Sequence, residues 1–167
     1  MLLWYQTIYD EEEKKAMLRS ILLATAGGPG GIRAADWVSA HLASDQTTVH
    51  VIVLESLSDE YEAVGMATSF PATSTDTEQR VRRDVDEIVH HTLRHLTGFG
   101  AVKTGAIIGG QPVEELLTAV RHIRPDLLVW GRRGLTRWES VFLGNISSKT
   151  ATQSPVPFLV IPNVQRR

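Results

Sequence analysis

Five short apolar runs, separated by stretches of helical periodicity, constrain the fold of this chain most strongly. The runs are 20–25, 48–54, 101–108, 127–130 and 158–161. Each has the length of a strand and is apolar enough to be buried on both faces, which is typical of parallel sheets covered by helices. Between the runs, apolar residues recur at helical spacing, as at Val113, Leu116 and Val120. This alternation predicts an α/β fold: a single-domain, Rossmann-like three-layer sandwich with a five-stranded parallel sheet and four main helices.

Composition narrows the class of protein. The 167 residues fit one domain, and the net charge of −2 gives no overall field for nucleic acid or an anionic membrane. The absence of cysteine excludes disulfides, thiolate catalysis and cysteine-ligated zinc, and it favours a reducing, cytoplasmic location. No run approaches the roughly 20 apolar residues of a membrane span. We therefore expect a cytoplasmic protein that binds neither nucleic acid nor membrane.

The N-terminal residues have a different pattern from the rest of the chain. Leu2, Leu3, Trp4 and Tyr5 form a small apolar cluster, and an acidic run follows at 10–13. We predict an N-terminal arm or short helix over residues 1–19, ahead of the main α/β domain over residues 20–167. The arm is either a frayed terminus or a segment that covers a groove or a partner subunit.

Glycines follow the fourth apolar run at defined spacing. Gly131 ends that run, Gly134 comes three residues later, and Gly144 directly precedes Asn145. Glycine leaves backbone N–H groups uncovered, and Asn145 is a good N-cap for a helix whose positive dipole end would point at the same place. The stretch predicts a phosphate-binding cradle. The alternative is that these glycines only form a turn and admit a helix.

The expected ligand edge carries no recognisable catalytic apparatus. In open parallel sheets, ligands bind beyond the carboxyl ends of the strands, where the first strand ends in the glycine-rich turn 26–31. This turn is not a P-loop, because no Lys-Ser/Thr pair follows. His90, His91 and His95 lack further ligands in the sequence pattern, so we interpret them as a solvated helix face and predict no metal site. Binding, with at most slow hydrolysis, is the expected activity.

The glycine spacing resembles the Gly-x-x-Gly-x(9)-Gly-Ser/Thr signature of the nucleotide-binding branch of the universal stress protein family, with Asn145 at the Ser/Thr position. The blocks 110–117 and 126–134 are also similar to that family, and the resemblance extends over 20–162. It implies a stress-response protein that binds ATP or a related adenine nucleotide, with Mg²⁺ or Mn²⁺ as an optional companion ion. The implied nucleotide-binding residues are Thr25, Ala26, Leu54, Gly131, Arg133, Gly134, Gly144, Asn145, Ile146 and Ser147.

One departure from the family pattern keeps an alternative open. Ala26 stands where the family has an Asp that helps to hold the nucleotide. Without that carboxylate, the chain could be a relative that binds no nucleotide and acts as a dimeric interaction module. A third hypothesis, an ATP-pyrophosphatase-type enzyme, needs Ser-Gly-Gly-x-Asp-Ser, and the turn 26–31 lacks both the Asp and the final Ser.

The last apolar run predicts a homodimer. Phe158, Leu159, Val160 and Ile161 are uncharged and come last in the sequence, which favours an edge position with unpaired backbone groups. Two such edges can pair about a two-fold axis, and the family resemblance implies the same interface. The competing hypothesis is that the N-terminal arm covers this edge and keeps the chain monomeric.

Overall fold

The computed structural model describes residues 18–55, 74–108, 112–131 and 149–162. Within them, five strands and three complete helices follow one another in the predicted order. The strands are β1 (Ser20–Thr25), β2 (Thr48–Glu55), β3 (Ala101–Ile108), β4 (Leu127–Gly131) and β5 (Phe158–Ile161). The helices are α1 (Gly28–Leu42), α2 (Ser74–Leu93) and α3 (Pro112–Ile123), and residues 149–153 form a C-terminal helical segment. Residues 1–17 of the N-terminal arm predicted at 1–19 lie outside the described residues.

All five strands are parallel and lie in the order β3-β2-β1-β4-β5. This order places β1 and β4 side by side in the centre, with Ile21 opposite Leu127 and Ala24 opposite Trp130. The first two crossovers run from β1 towards one edge, and the later strands occupy the other edge. The predicted α/β fold with a parallel five-stranded sheet is confirmed.

Alternate residues of the central strands bury against different helices. Ile21 and Leu23 of β1 lie in a core cluster with the α1 side chains, whereas Leu22 and Ala24 lie in a cluster with Leu116 of α3. Fully burying a leucine or isoleucine contributes about 1.5–3 kcal/mol relative to exposure, so both faces of β1 stabilise the fold. We call these two surfaces of the sheet the α1 face and the α3 face. Helix α2 lies on the α1 face, since Val53 of β2 packs with its side chains Val81 and Val85.

The prediction of five strands buried on both faces is wrong for the two edges. Six of the eight β3 residues are exposed, and Phe158, Leu159 and Val160 of β5 are only half-buried. The reason is topological, because α2 covers β2 rather than β3. An apolar run in the sequence therefore does not show whether a helix covers it on both sides.

Helix α2 also ends earlier than its periodicity indicates. The sequence predicts a helix from about Asp76 to Leu96, but the regular helix spans Ser74–Leu93 and a tight turn follows. In that turn the His95 N–H donates to the Thr92 carbonyl oxygen at 3.0 Å. No helix in the described part of the chain is long and apolar enough to cross a membrane.

The amino ends of β1 and β4 are held together by one carboxylate. Asp126 Oδ2 accepts hydrogen bonds from the backbone N–H groups of Arg19, at 2.7 Å, and Ser20, at 2.9 Å. Its own N–H donates to the Ser20 carbonyl oxygen at 2.8 Å. Asp126 therefore serves the fold, at the end of the sheet opposite the predicted ligand edge.

Candidate functional site

The carboxyl ends of β1 and β4 form a switch point in the sheet. From β1 the chain passes over the α1 face, while α3 and the segment leading into β5 pack on the α3 face. Doubly wound sheets bind ligands at such a point, where the helices beside two adjacent strands lie on opposite faces. The sequence places Ala26 and Gly131 at this edge, and the structure confirms that the strands they terminate are adjacent.

Gly131 is buried at the end of β4, directly against the first turn of α1. A β-carbon added there would meet the Gly30 carbonyl group, with its carbon at 2.6 Å, and would lie 2.9 Å from Gly31 Cα. Real β-carbons do not approach backbone this closely, so only glycine fits without displacing the helix. Gly131 is thus required for packing, a reason that the loop spacing in the sequence does not reveal.

The turn from β1 into α1 depends on two glycines with left-handed backbone conformations. Gly27 has φ 77° and Gly28 has φ 71°. Gly27 also packs closely on α2, because an added β-carbon would lie 2.9 Å from Ile88 Cγ1. The Gly27 N–H donates to Thr25 Oγ1 at 3.1 Å, and Thr25 is fully buried. The Thr25 hydroxyl therefore stabilises the turn, and the turn packs closely against α2.

An apolar floor lies on the α3 face of this edge. Leu54 at the end of β2 and Trp130 at the end of β4 belong to one buried cluster, and half-buried Ala26 packs against it. Their relative exposures of 6% and 7% show that the two larger side chains are almost fully covered. Three neighbouring strands, β2, β1 and β4, thus contribute to one apolar surface, which we call the Ala26 floor.

An ion pair joins α3 to the C-terminal helical segment. Lys149 Nζ lies 3.1 Å from Glu114 Oε1, with both side chains about half-exposed. The backbone N–H of Glu114, followed by the bond from Lys149, holds the pKa of the Glu114 carboxyl below its usual value. The pair is therefore charged at neutral pH and positions the C-terminal helical segment against the first turn of α3.

The remaining sequence-predicted site residues fall outside the described part of the chain. They are Arg133, Gly134, Gly144, Asn145, Ile146 and Ser147. Of the ten predicted residues, Thr25, Ala26, Leu54 and Gly131 are described and lie at the ends of three adjacent strands. Sequence reasoning missed Trp130 as a member of the floor, although its place just before Gly131 is a usable signal. Among the described residues, no group of three or more potential ligands is arranged to hold a metal ion.

The sheet order and the helices on both faces define a Rossmann-like, doubly wound α/β protein. The model of the universal stress protein family matches residues 17–162. A universal stress protein of Thermus aquaticus is 30% identical over 145 residues, which cover 87% of this chain and 99% of that protein. The chain therefore belongs to the universal stress protein family.

Two solved structures of the family share the fold. One is a universal stress protein in complex with cAMP, with a TM-score of 0.57 and 15% identity, covering 89% of this chain and 100% of that one. The other is a family member from Arabidopsis thaliana with AMP bound, with a TM-score of 0.50 and 18% identity, covering 85% of this chain and 90% of that one. Both proteins hold adenine nucleotides in this fold.

The packing role of Gly131 predicts a stability difference between two glycines. Gly131→Ala should lower the free energy of unfolding by about 1–3 kcal/mol, because the new methyl group collides with backbone that cannot easily move. Gly105→Ala is the matched control, since a β-carbon there meets nothing within 4 Å. It should change stability by no more than about 1 kcal/mol. Urea denaturation of both variants checks this, and equal losses would contradict the packing role.

Proposed function

We propose that this protein binds ATP or a related adenine nucleotide at the carboxyl edge of β1, β2 and β4, and that binding serves regulation in a stress response rather than fast catalysis. The observation that carries the proposal is the convergence of Ala26, Leu54 and Gly131 at the ends of three adjacent strands. Relatives with cAMP and with AMP bound support the class of ligand. The proposal also assigns the chain to the nucleotide-binding branch of its family.

In this proposal, the parts of the nucleotide meet different chemistry. Half-buried Ala26 supplies apolar surface under the nucleoside, and Leu54 and Trp130 support it from the core beneath. The loop from Gly131 to Ser147 supplies backbone N–H groups for the phosphates, with Arg133 as a charged partner. An optional Mg²⁺ or Mn²⁺ ion would accompany the phosphates rather than bind a dedicated protein cage. The domain that holds the nucleotide spans 20–167, with 1–19 as a separate arm.

A binding role fits the described residues of the edge better than a catalytic one. Thr25 is the only described hydroxyl at the end of β1, and it accepts a hydrogen bond from Gly27 while fully buried. A nucleophile needs an adjacent general base and access to substrate, and buried Thr25 has neither among the described residues. Bound nucleotide would therefore act by stabilising one conformation or one assembly state.

Nucleotide binding predicts a stability gain that depends on the glycine loop. Wild-type protein should gain about 2.7 kcal/mol at ATP concentrations a hundredfold above the dissociation constant, because ATP binds the folded state only. Gly134→Asp should abolish the gain, since it adds bulk and negative charge where phosphates bind. Thermal denaturation with increasing ATP measures both.

The control for that experiment is the same chemical change at an open position. Gly105→Asp adds a carboxylate on the exposed strand β3, where no atom lies within 4 Å of an added β-carbon. This variant should keep the full ATP response. A wild-type protein without any response at millimolar ATP would contradict the proposal.

One observation favours a second function, that of an interaction module without nucleotide. Ala26 has no carboxylate to accept hydrogen bonds from a ribose, and it packs half-buried against the apolar floor. If this edge only completes the core, the glycines serve packing, as Gly131 does. The two functions differ in what a restored carboxylate would do.

Ala26→Asp separates the two functions. If the ribose lies over Ala26, the new carboxylate accepts hydrogen bonds from its hydroxyl groups. ATP affinity should then increase about tenfold or more, since hydrogen bonds to charged groups contribute about 1.5–3 kcal/mol. Isothermal titration calorimetry measures the ATP affinity of each variant. Ala26→Asn is the control, because asparagine has the size of aspartate without its charge. Unchanged or weaker binding in Ala26→Asp would mean that the ribose does not lie there.

We also propose that the protein is a homodimer through β5. The strand Phe158–Ile161 lies at one edge of the sheet and pairs only with β4 among the described strands. Its first three residues are half-buried, and none carries a charge. Pairing with a second β5 about a two-fold axis would satisfy the outer backbone groups and cover these side chains.

Val160→Lys tests this interface. Val160 is half-buried, and it is absent from the core clusters that Phe158 and Leu159 contact, so a lysine there places charge at the edge with least damage to the core. Light scattering should show half the wild-type mass. Thr104→Lys adds the same charge on the opposite edge strand β3 and should leave the dimer intact. A monomeric wild-type chain that dimerises only after removal of residues 1–15 would show instead that the arm covers β5.

A further inference from the structure

His91 lies in the last turn of α2 and His95 in the tight turn that follows it, and both lie beside α1. The imidazole rings of His91 and His95 have centroids 5.5 Å apart, with ring planes inclined by 60°. The two rings are therefore direct neighbours, although the regular helix ends at Leu93. The pair lies on the α1 face of the sheet, whereas the Ala26 floor lies on the α3 face.

A carboxylate from α1 orients one of these rings. Asp36 Oδ1 lies 2.8 Å from His95 Nδ1, so the Nδ1–H group donates to the carboxylate. In that tautomer, His95 Nε2 keeps its lone pair and is available as a ligand. A carboxylate behind an imidazole is the usual outer partner of a metal-bound histidine, because it fixes the ring and raises its basicity.

The main chain around His95 is anchored as well. Ser39 Oγ of α1 donates to the His95 carbonyl oxygen at 2.8 Å and accepts from the Thr97 N–H at 3.1 Å. The His95 N–H also donates to the Thr92 carbonyl oxygen. His95 is therefore held by α1 through both its backbone and its ring, which limits the reorganisation needed to bind a ligand.

The ring separation is close to that of a chelating pair. A tetrahedral metal ion with imidazole bonds of about 2.0–2.1 Å brings the two ring centroids to about 5 Å from each other. The observed 5.5 Å is within a small side-chain rotation of this value. Imidazole is a preferred ligand of Zn²⁺, Ni²⁺ and Cu²⁺, whereas Mg²⁺ and Ca²⁺ prefer oxygen.

His91 faces two adjoining grooves that are wide enough for a hydrated ion. The first, of about 390 Å³, is lined by His91 and Asp36 together with Gly28, Pro29, Ile32 and Arg33. An adjoining groove of about 310 Å³ is lined by His91 with Asp84 and Glu87 of α2. Asp36, Asp84 and Glu87 outnumber Arg33, the one Lys or Arg side chain in these two linings, so the local charge favours a cation. Because no group of three or more ligands converges among the described residues, water would complete the coordination.

We propose that His91 and His95 form a binding site for one divalent transition-metal ion, with Asp36 as the residue that positions His95. Two protein ligands and several waters make the site exchangeable, unlike the four-ligand sites that stabilise zinc-dependent folds. The inference does not depend on nucleotide binding, since the two sites lie on opposite faces of the sheet. It replaces the interpretation of these histidines as an inert solvated surface.

Calorimetric titration of Zn²⁺ into the metal-free full chain tests the proposal. The wild type should bind one ion per chain at this site. His91→Ala and His95→Ala should each weaken the affinity at least tenfold, and Asp36→Ala about 10–100-fold, as expected for loss of an outer partner. His90→Ala is the matched control, because His90 is the exposed neighbour outside the pair and should leave the affinity unchanged. Far-UV circular dichroism of each variant verifies the fold.

The spectrum of Cu²⁺ bound to the same protein changes when a ligand is lost, but not when a residue with only a structural role is replaced. Electron paramagnetic resonance should show two coordinating imidazole nitrogens in the wild type and one in either histidine variant. Absence of binding at millimolar Zn²⁺ would overturn the proposal. An equal loss of Zn²⁺ affinity in His90→Ala and in His91→Ala would also overturn it.

Discussion

The close approach of Gly131 to the first turn of α1 sets the geometry of the sheet edge where β1 and β4 end. Because β4 ends in a residue without a side chain, α1 lies directly on its backbone, within van der Waals contact of Gly30 and Gly31. Central β1 and β4 can then stay adjacent, with α1 on one face of the sheet and α3 on the other. The switch point therefore depends on a backbone-to-backbone contact that any larger residue would disrupt.

The two faces of the sheet have different chemistry at this edge. On the α3 face, the Ala26 floor is apolar and receives side chains from three strands. On the α1 face, the grooves beside α2 are lined by carboxylates and His91. Both are built on the turn between β1 and α1, where Gly27 packs against Ile88 of α2. One short turn thus connects the proposed nucleotide site and the proposed metal site.

The sequence predicts the elements well because their signals are local. Strands β1 and β3 begin and end where the apolar runs do, and Pro112 marks the start of α3. The features that the sequence does not predict depend on contacts between residues far apart in the chain. The exposure of β3 depends on where α2 packs, and the bond from His95 to Asp36 joins residues 59 positions apart. At the candidate site, spacing identifies Gly131 as important, but its contact with α1 supplies a packing reason that spacing does not show.

We propose above all that this family member holds an adenine nucleotide at the carboxyl edge of its central strands. Mass spectrometry of small molecules released from gently purified, full-length protein tests it most directly, since it requires no prior choice of ligand. We expect the wild-type protein to release an adenine nucleotide in near-stoichiometric amount. Protein carrying Gly144→Asp should release none. Wild-type protein that releases no nucleotide, and takes none up from a mixture of ATP, ADP, AMP and cAMP, would contradict it.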